Sequence, residues 1–394
     1  MPAHWECLRY EQLILPGGLS YGIVQPGSHF PIGGVPIVRV NNIKQGRIVK
    51  NDALFVEREI EEKYSRTRLR GGELLITVVG IVGQCAIVPE DMAGWNVARA
   101  VSVSRIAHEF DARFISYCFL HEPVRYQVYS HTMDTVQPTL NLSALKQVCL
   151  PAPPLGEQRA IASVLSCLDD KIDLLHRENT TLEQLAEAVW RQWFLEEANR
   201  LQEIALKDIA DHVKESISPS KQPTLLFSHY SVPAYDNGRE PKKELGKNIL
   251  SNKFRVISDS ILISKLNPRF PRVWPVFGQI DETLSICSTE FQVVKPKNKN
   301  YFGFIYCFLK SPAVTQELEN AVGGTSGSHQ RVDPEVIFDL SFPKPPDDKS
   351  EEFAKLTNHY WLKIDENLDQ IRTLAQMRDT LLPKLMSGEV RVKY

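Results

Sequence analysis

At 394 residues, 43% hydrophobic and 24% charged, the chain has the composition of a folded globular protein with room for two ordinary domains. Its net charge of −2 argues against a freely acting nucleic-acid binder, whose DNA-facing domain is usually basic. No stretch approaches the ~18 consecutive apolar residues of a membrane span, and Trp5, Glu6 and Arg9 do not suit a signal peptide, so a cytoplasmic location without membrane contact is expected.

Residues 1 to about 150 read as short strands and loops. Val35-Pro36-Ile37-Val38-Arg39-Val40 and Glu73 to Val79 are β-rich runs bounded by Gly and Pro, and Phe114 to Leu120 reads as a short helix. A polar turn, His131 to Thr139, closes this part. From about 201 to 344 the same order returns: Ser260 to Ser264 matches the Leu74 strand, Phe304 to Leu309 matches the short helix, and Gly323 to Arg331 is the closing turn. Tyr117-Cys118-Phe119-Leu120 recurs as Tyr306-Cys307-Phe308-Leu309, Pro153-Pro154 as Pro345-Pro346, and Lys171-Ile172-Asp173 as Lys363-Ile364-Asp365. A repeat this long is a duplicated domain-plus-helix unit, since solenoid periods run only ~20–50 residues. Two such units suit a target that itself comes in two halves.

Beyond each Pro-Pro pair the pattern turns helical. Ile161, Leu165, Leu168, Ile172, Leu175, Asn179, Leu182, Ala186, Val189 and Trp193 follow the 3.5-residue period of a coiled-coil seam. The counterpart runs Tyr360, Ile364, Asn367, Ile371, Leu374, Arg378, Leu381 and Leu385. Each seam holds one Asn, either a register device or a loose, wet point. The two helices are expected to pair within the chain, and antiparallel pairing is favoured because it sets the two modules at opposite ends of a ~60 Å stalk. Val189, Trp190, Trp193, Phe194, Leu381, Leu382 and Leu385 exceed what a two-helix seam covers, so they either dock partner helices or pack on their own domains.

Catalytic signals are absent. Gly323-Gly324-Thr325-Ser326-Gly327-Ser328 has no lysine to reach a phosphate, and Asn267-Pro268-Arg269-Phe270 is only superficially like the N-P-P-[FY] loop of adenine methyltransferases. The ten histidines show no metal-binding spacing, and the seven cysteines, without a C-x-x-C pair, read as reduced thiols. The Asp169-Asp170 and Asp347-Asp348 pairs read as solvated helix faces. No catalytic residue, metal or cofactor is expected.

Leu150-Pro151-Ala152-Pro153-Pro154-Leu155-Gly156-Glu157-Gln158-Arg159-Ala160-Ile161, with the heptads that follow, resembles the P-P-L-x-E-Q-x-x-I segment of the specificity subunits of type I restriction-modification systems. Gly34 to Arg39, Ser251-Asn252-Lys253 and Ser264 to Arg269 are similar to phrases of that family's target-recognition domains. The second copy departs: Pro345-Pro346-Asp347-Asp348-Lys349-Ser350-Glu351 lacks the Leu-x-Glu-Gln core. The resemblance implies an α+β protein: two similar globular α/β target-recognition domains (1–153 and 201–345), separated by two long helices (154–200 and 346–394) forming an intramolecular antiparallel coiled coil. It implies a non-catalytic subunit whose domains each read half of a split site in double-stranded DNA, with the helices setting the spacer. Two adenine methyltransferase subunits and motor-nuclease subunits are the implied partners. A non-catalytic coiled-coil adaptor for protein partners is the alternative.

Between Gly238 and Pro275 nine basic residues stand against three acidic ones. Affinity should come from phosphate contacts and sequence preference from base edges. Arg239, Lys242, Lys243, Lys247 and Lys253 are the phosphate candidates of the second module; Lys265, Asn267, Arg269 and Arg272 are the base candidates. In the first module Arg39, Asn41, Asn42, Lys44 and Arg47 form a comparable loop, with Arg66, Arg68 and Arg70 before the next strand. Closing turns add Gln137 and Thr139 in one module, and Ser328, Gln330 and Arg331 in the other.

Overall fold

The computed structural model describes residues 2, 4–27, 33–44, 46–50, 53–132, 137–195, 202–322 and 330–393. The chain divides into two compact units, one of Met1–Asp173 with Arg372–Tyr394 and one of Leu174–Ile371.

In the first unit an antiparallel sheet has the order Ile14–Tyr21, Val101–Ile106, Leu74–Thr77, Cys85–Ile87. In the second unit Ala210–Val213, Phe291–Pro296, Ser260–Ser264 and Val273–Val276 repeat that order and sense. The central strand of each sheet is apolar on both faces because each face has its own core. Successive side chains point to opposite sides. Leu74 and Ile76 therefore join Phe114, Ile115 and Phe119, while Leu75 joins Val38, Val97 and Met92. In the second unit Ile261 and Ile263 meet Phe304 and Ile305, while Leu262 meets Trp274 and Phe291. The repeated Tyr-Cys-Phe phrase lies on short helices, Ala112–Cys118 running into Phe119 and Phe302–Lys310, and is buried in both copies.

Each unit closes on a two-stranded sheet that delivers the chain to a long helix: Glu6–Arg9 with Cys149–Ala152, and Glu203–Ala205 with Ser341–Pro343. The long helices are Leu155–Phe194 and Asp347–Ser387, and their segments pair antiparallel within each unit. In the first unit Glu157 meets Arg391 and Asp169 meets Arg378. In the second, Asn179 meets Asn367 and the ring of Trp193 packs edge-on against Phe353. The seam asparagines are buried and bonded to each other: the Asn367 amide donates to Asn179 Oδ1 at 2.8 Å and to Glu178 Oε2 at 3.1 Å.

Of the two destinations open to the surplus apolar residues, the cores of their own units take them. Trp190 and Phe194 belong to the second unit's core, with Val189 and Trp193 against it. Leu382 and Leu385 belong to the first unit's core, with Leu381 alongside. Val189, Trp193 and Leu381 remain half-buried.

Candidate nucleic-acid interface

One arrangement occurs twice. In the first unit the hairpin between Leu74–Thr77 and Cys85–Ile87 is held by the closing turn: Leu140 N–H donates to Val78 O at 2.9 Å, and Gly80 N–H to Pro138 O at 2.9 Å. In the second unit the hairpin between Ser260–Ser264 and Val273–Val276 is held alike. Val332 N–H donates to Lys265 O at 3.0 Å, and Asn267 N–H to Gln330 O at 2.9 Å. Each clasp encloses one antiparallel bridge, Val79 to Thr139 and Leu266 to Arg331.

The clasped residue is left-handed in both units, Gly80 at φ 78° and Asn267 at φ 48°. Glycine adopts that conformation freely, and Asn is among the few other residues that tolerate it. The identity of Asn267, expected to read a base, thus has a backbone reason, and its Oδ1 is buried without a hydrogen-bond partner. Beyond the clasp the tips are exposed: Ile81 at 55% and Phe270 at 60%. Neither was expected from the sequence; the one available signal was an apolar residue amid turn-forming Gly and Pro.

Part of the basic excess of the second unit is spent inside the fold. Arg239 reaches Glu183 on the first long helix at 2.8 Å, and Lys310 reaches the same carboxylate at 3.0 Å. Burial pushes the Glu183 carboxyl up, but Arg239 and Lys310 outweigh it and hold the group below its ordinary value. Arg272 makes a two-point contact with Asp236 at 2.7 and 3.0 Å, and Arg331 contacts Glu290 at 2.8 Å. Lys253 is buried, which lowers its ammonium pKa, and it donates to Ser251. Lys242 lies 3.2 Å from Glu244 and Lys243 2.6 Å from Ser228 Oγ, yet both are exposed, as are Lys247 and Arg269. Lys265 and Gln330 are half-buried, and Ser328 lies outside the described residues.

The first unit divides its candidates in the same way. Asn42 is buried and structural: its Oδ1 accepts from Arg39 N–H at 2.9 Å and its amide donates to Val49 O at 3.1 Å. Arg47 follows on a small hairpin, Ile43–Lys44 with Arg47–Ile48, and is tied to the first long helix through Asp169 O and the Asp173 carboxylate. Arg68 pairs with buried Glu61 at 2.8 Å, and Arg66 donates to Ser20 Oγ at 2.8 Å. Arg39 is half-buried; Asn41, Lys44, Arg70 and Gln137 are exposed, and half-buried Thr139 donates to Gln137 O at 3.0 Å.

Asp169 is not the solvated helix-face residue that its sequence suggests. It accepts from Tyr117 OH at 2.6 Å and from Arg378 at 2.8 Å, which makes it the hub of the first unit's polar cluster. Glu157 and Gln158 are likewise structural. The Glu157 carboxylate, buried, accepts from Trp5 at 3.1 Å and Arg391 at 3.3 Å, while Gln158 takes Asp111 N–H at 2.9 Å and donates to Pro153 O at 2.8 Å. Ser350, in the register of Gln158, has a buried Oγ with no partner, while Asp347 at the second helix start accepts from Tyr301 OH at 2.6 Å. Among the described residues no group of three His, Cys, Asp or Glu side chains could hold a metal, and no helix is long and apolar enough to cross a membrane.

Residues 31–184 match the family model of the type I restriction modification DNA specificity domain. The specificity subunit of the type I restriction enzyme EcoBI, from Escherichia coli, is 35% identical over 148 residues, which cover 36% of this chain and 30% of that protein. The MjaIX specificity subunit of Methanocaldococcus jannaschii is 28% identical over 286 residues, covering 65% and 64%. The chain thus spans less than two thirds of either relative. The crystal structure of the type I restriction-modification S subunit from M. genitalium matches with a TM-score of 0.54 at 18% identity, covering 97% of this chain and 96% of that one, which shows a shared fold.

Proposed function

We propose that the chain, whose residues 31–184 match the type I restriction modification DNA specificity domain, is a non-catalytic DNA-recognition subunit reading a bipartite site in duplex DNA. Residues 1–153 and 201–345 act as target-recognition domains, each reading one half. The helical stretches 154–200 and 346–394 set the spacer between them and carry two adenine methyltransferase subunits, to which motor-nuclease subunits add. The observation that carries this reading is the clasped hairpin present in both units: one backbone arrangement, two different sets of exposed side chains. A pair of identical readers would recognise a symmetric site; a pair differing at the tips recognises two unrelated half-sites.

Phosphate contact falls to the exposed cations, Lys44 and Arg70 in one unit and Lys242, Lys243 and Lys247 in the other. Arg269 and Gln137, exposed beside the hairpins, are the base-reading candidates, because Arg bridges guanine O6 and N7 and Gln bridges adenine N6 and N7. Selection of duplexes from a randomised library by the full chain, repeated with its methyltransferase partners, tests the proposal. A split consensus is expected, with log affinity falling linearly in log salt at a slope of about −0.9 per phosphate contacted. Arg269→Ala should relax one half-site only. Inserting four residues after Thr180 should shift the preferred spacer or abolish binding. Absence of DNA enrichment under both conditions favours the protein-adaptor reading instead.

A further inference from the structure

Resting on that reading, we infer that Phe270 is an apolar wedge that enters the duplex at one base step, with Ile81 in the same role in the first unit. Both side chains are more than half exposed, at 60% and 55%, and neither belongs to a core cluster of its unit. Single exposed apolar residues are ordinary on a protein surface. These two share a place: each lies within three residues of the left-handed clasp residue, on hairpins whose connecting loops differ in length and sequence. Their folds do not need them there, yet both loops put their exposed apolar side chain beyond the same clasp.

The second hairpin is also built stiff. Pro268 and Pro271 flank Arg269 and Phe270, and Phe270 N–H closes a turn on Asn267 O at 2.9 Å. Ser264 N–H donates to Arg272 O at 2.9 Å, and Arg272 is held by Asp236. The Arg269 guanidinium lies 5.9 Å from the Phe270 ring centroid, so an exposed cation travels with the ring. That pairing suits a polyanion whose interior is a stack of flat apolar faces: the cation meets a phosphate while the ring meets bases. Phe and Ile are both used as wedges that partly unstack a base step, and a preset loop conformation lowers the ordering cost of binding.

The test uses the full chain and a duplex recovered by the library selection, with 2-aminopurine placed in turn at each adenine position of one half-site and the unread spacer. Wild type should raise the probe's emission at one step only, and Phe270→Ala should abolish the rise and weaken binding by roughly tenfold or more, since base–aromatic stacking typically contributes that much. Phe270→Leu, which keeps an apolar wedge, should retain part of both signals. The melting temperature should not change, because Phe270 supports no core. Unchanged affinity in Phe270→Ala, with no emission change at any position in wild type, overturns the wedge while leaving recognition standing. Failure of wild type to bind any duplex, alone or with partners, overturns the functional reading and the wedge with it.

Discussion

Arg239→Ala separates a tether from a DNA contact. Arg239 lies in the most basic stretch of the chain, but its guanidinium is 2.8 Å from Glu183, whose side chain is only 7% exposed. Removing one partner of a buried ion pair costs about 3–5 kcal/mol when the other charge is stranded. Here Lys310 stays at 3.0 Å from the same carboxylate, so the loss is closer to one charge-assisted hydrogen bond, about 2 kcal/mol. Backbone conformation supplies an internal control. At φ 59° any side chain with a Cβ pays about 1 kcal/mol that glycine avoids, so Arg239→Gly should lose only about 1 kcal/mol. Denaturant unfolding of the full chain, followed through tryptophan emission, measures both variants. Trp190, Trp193 and Trp361 sit in or against the second unit's core and report on that unit. The expected result is the order wild type, Gly, Ala, with the consensus selected from randomised duplexes unchanged in both halves. Wild-type stability together with altered base preference would refute the tether and return Arg239 to the DNA surface.

Glu183→Gln should narrow its stability gap to wild type as pH falls. The carboxyl's folded value lies below its unfolded value of about 4.3, so its contribution is complete above that pH and is lost as pH drops through the lowered folded value. A gap that stays constant between pH 7 and 3 in urea melts would contradict this. Asn367→Leu should destabilise the second unit by about 1–3 kcal/mol by stranding buried Asn179, whereas the Asn179→Leu, Asn367→Leu double variant should recover most of the loss; additive losses in the double-mutant cycle would deny the pairing. Asn267→Gly should change stability by no more than about 0.5 kcal/mol and Asn267→Ala should lower it by about 1 kcal/mol, because only the left-handed backbone is at stake. Equal losses in thermal melts would show that the Asn side chain itself is needed.

The duplicated architecture was legible because burial and helix pairing leave periodic traces. The 3.5-residue seam, the buried Tyr-Cys-Phe phrase and the Pro-Pro pairs are spaced by geometry that any fold of this kind must satisfy. Which cations face outward left no such trace. Arg239, Arg272 and Lys253 read like Lys242, Lys243 and Lys247, yet the first three are engaged by Glu183, Asp236 and Ser251. Their partners Glu183 and Asp236 lie 56 and 36 residues away along the chain, and nothing local announces such a pairing. Asp169 was missed for the same reason: Tyr117 and Arg378, which turn a surface carboxylate into a hub, lie 52 and 209 residues from it along the chain. The P-P-L-x-E-Q phrase was visible, but its work of holding Trp5 and Arg391 was not.

The two clasps bear on what the duplication is for. Main-chain donors and acceptors alone make them, Leu140 to Val78 and Gly80 to Pro138 in one unit, Val332 to Lys265 and Asn267 to Gln330 in the other. Backbone hydrogen bonds survive substitution of almost any side chain, provided the left-handed position keeps Gly or Asn. The tips beyond are therefore free to vary at little cost to folding, and they do vary: Ile81 and Val82 between two glycines in one copy, Arg269 and Phe270 between two prolines in the other. Under the proposed reading of two unrelated half-sites, exchanging residues 269–271, which lie outside the clasp and the Arg272–Asp236 pair, for another sequence of equal length should alter one half of the selected consensus while the melting temperature holds. Loss of folding in such exchanges, or change in both halves at once, would show that frame and tip are not separable.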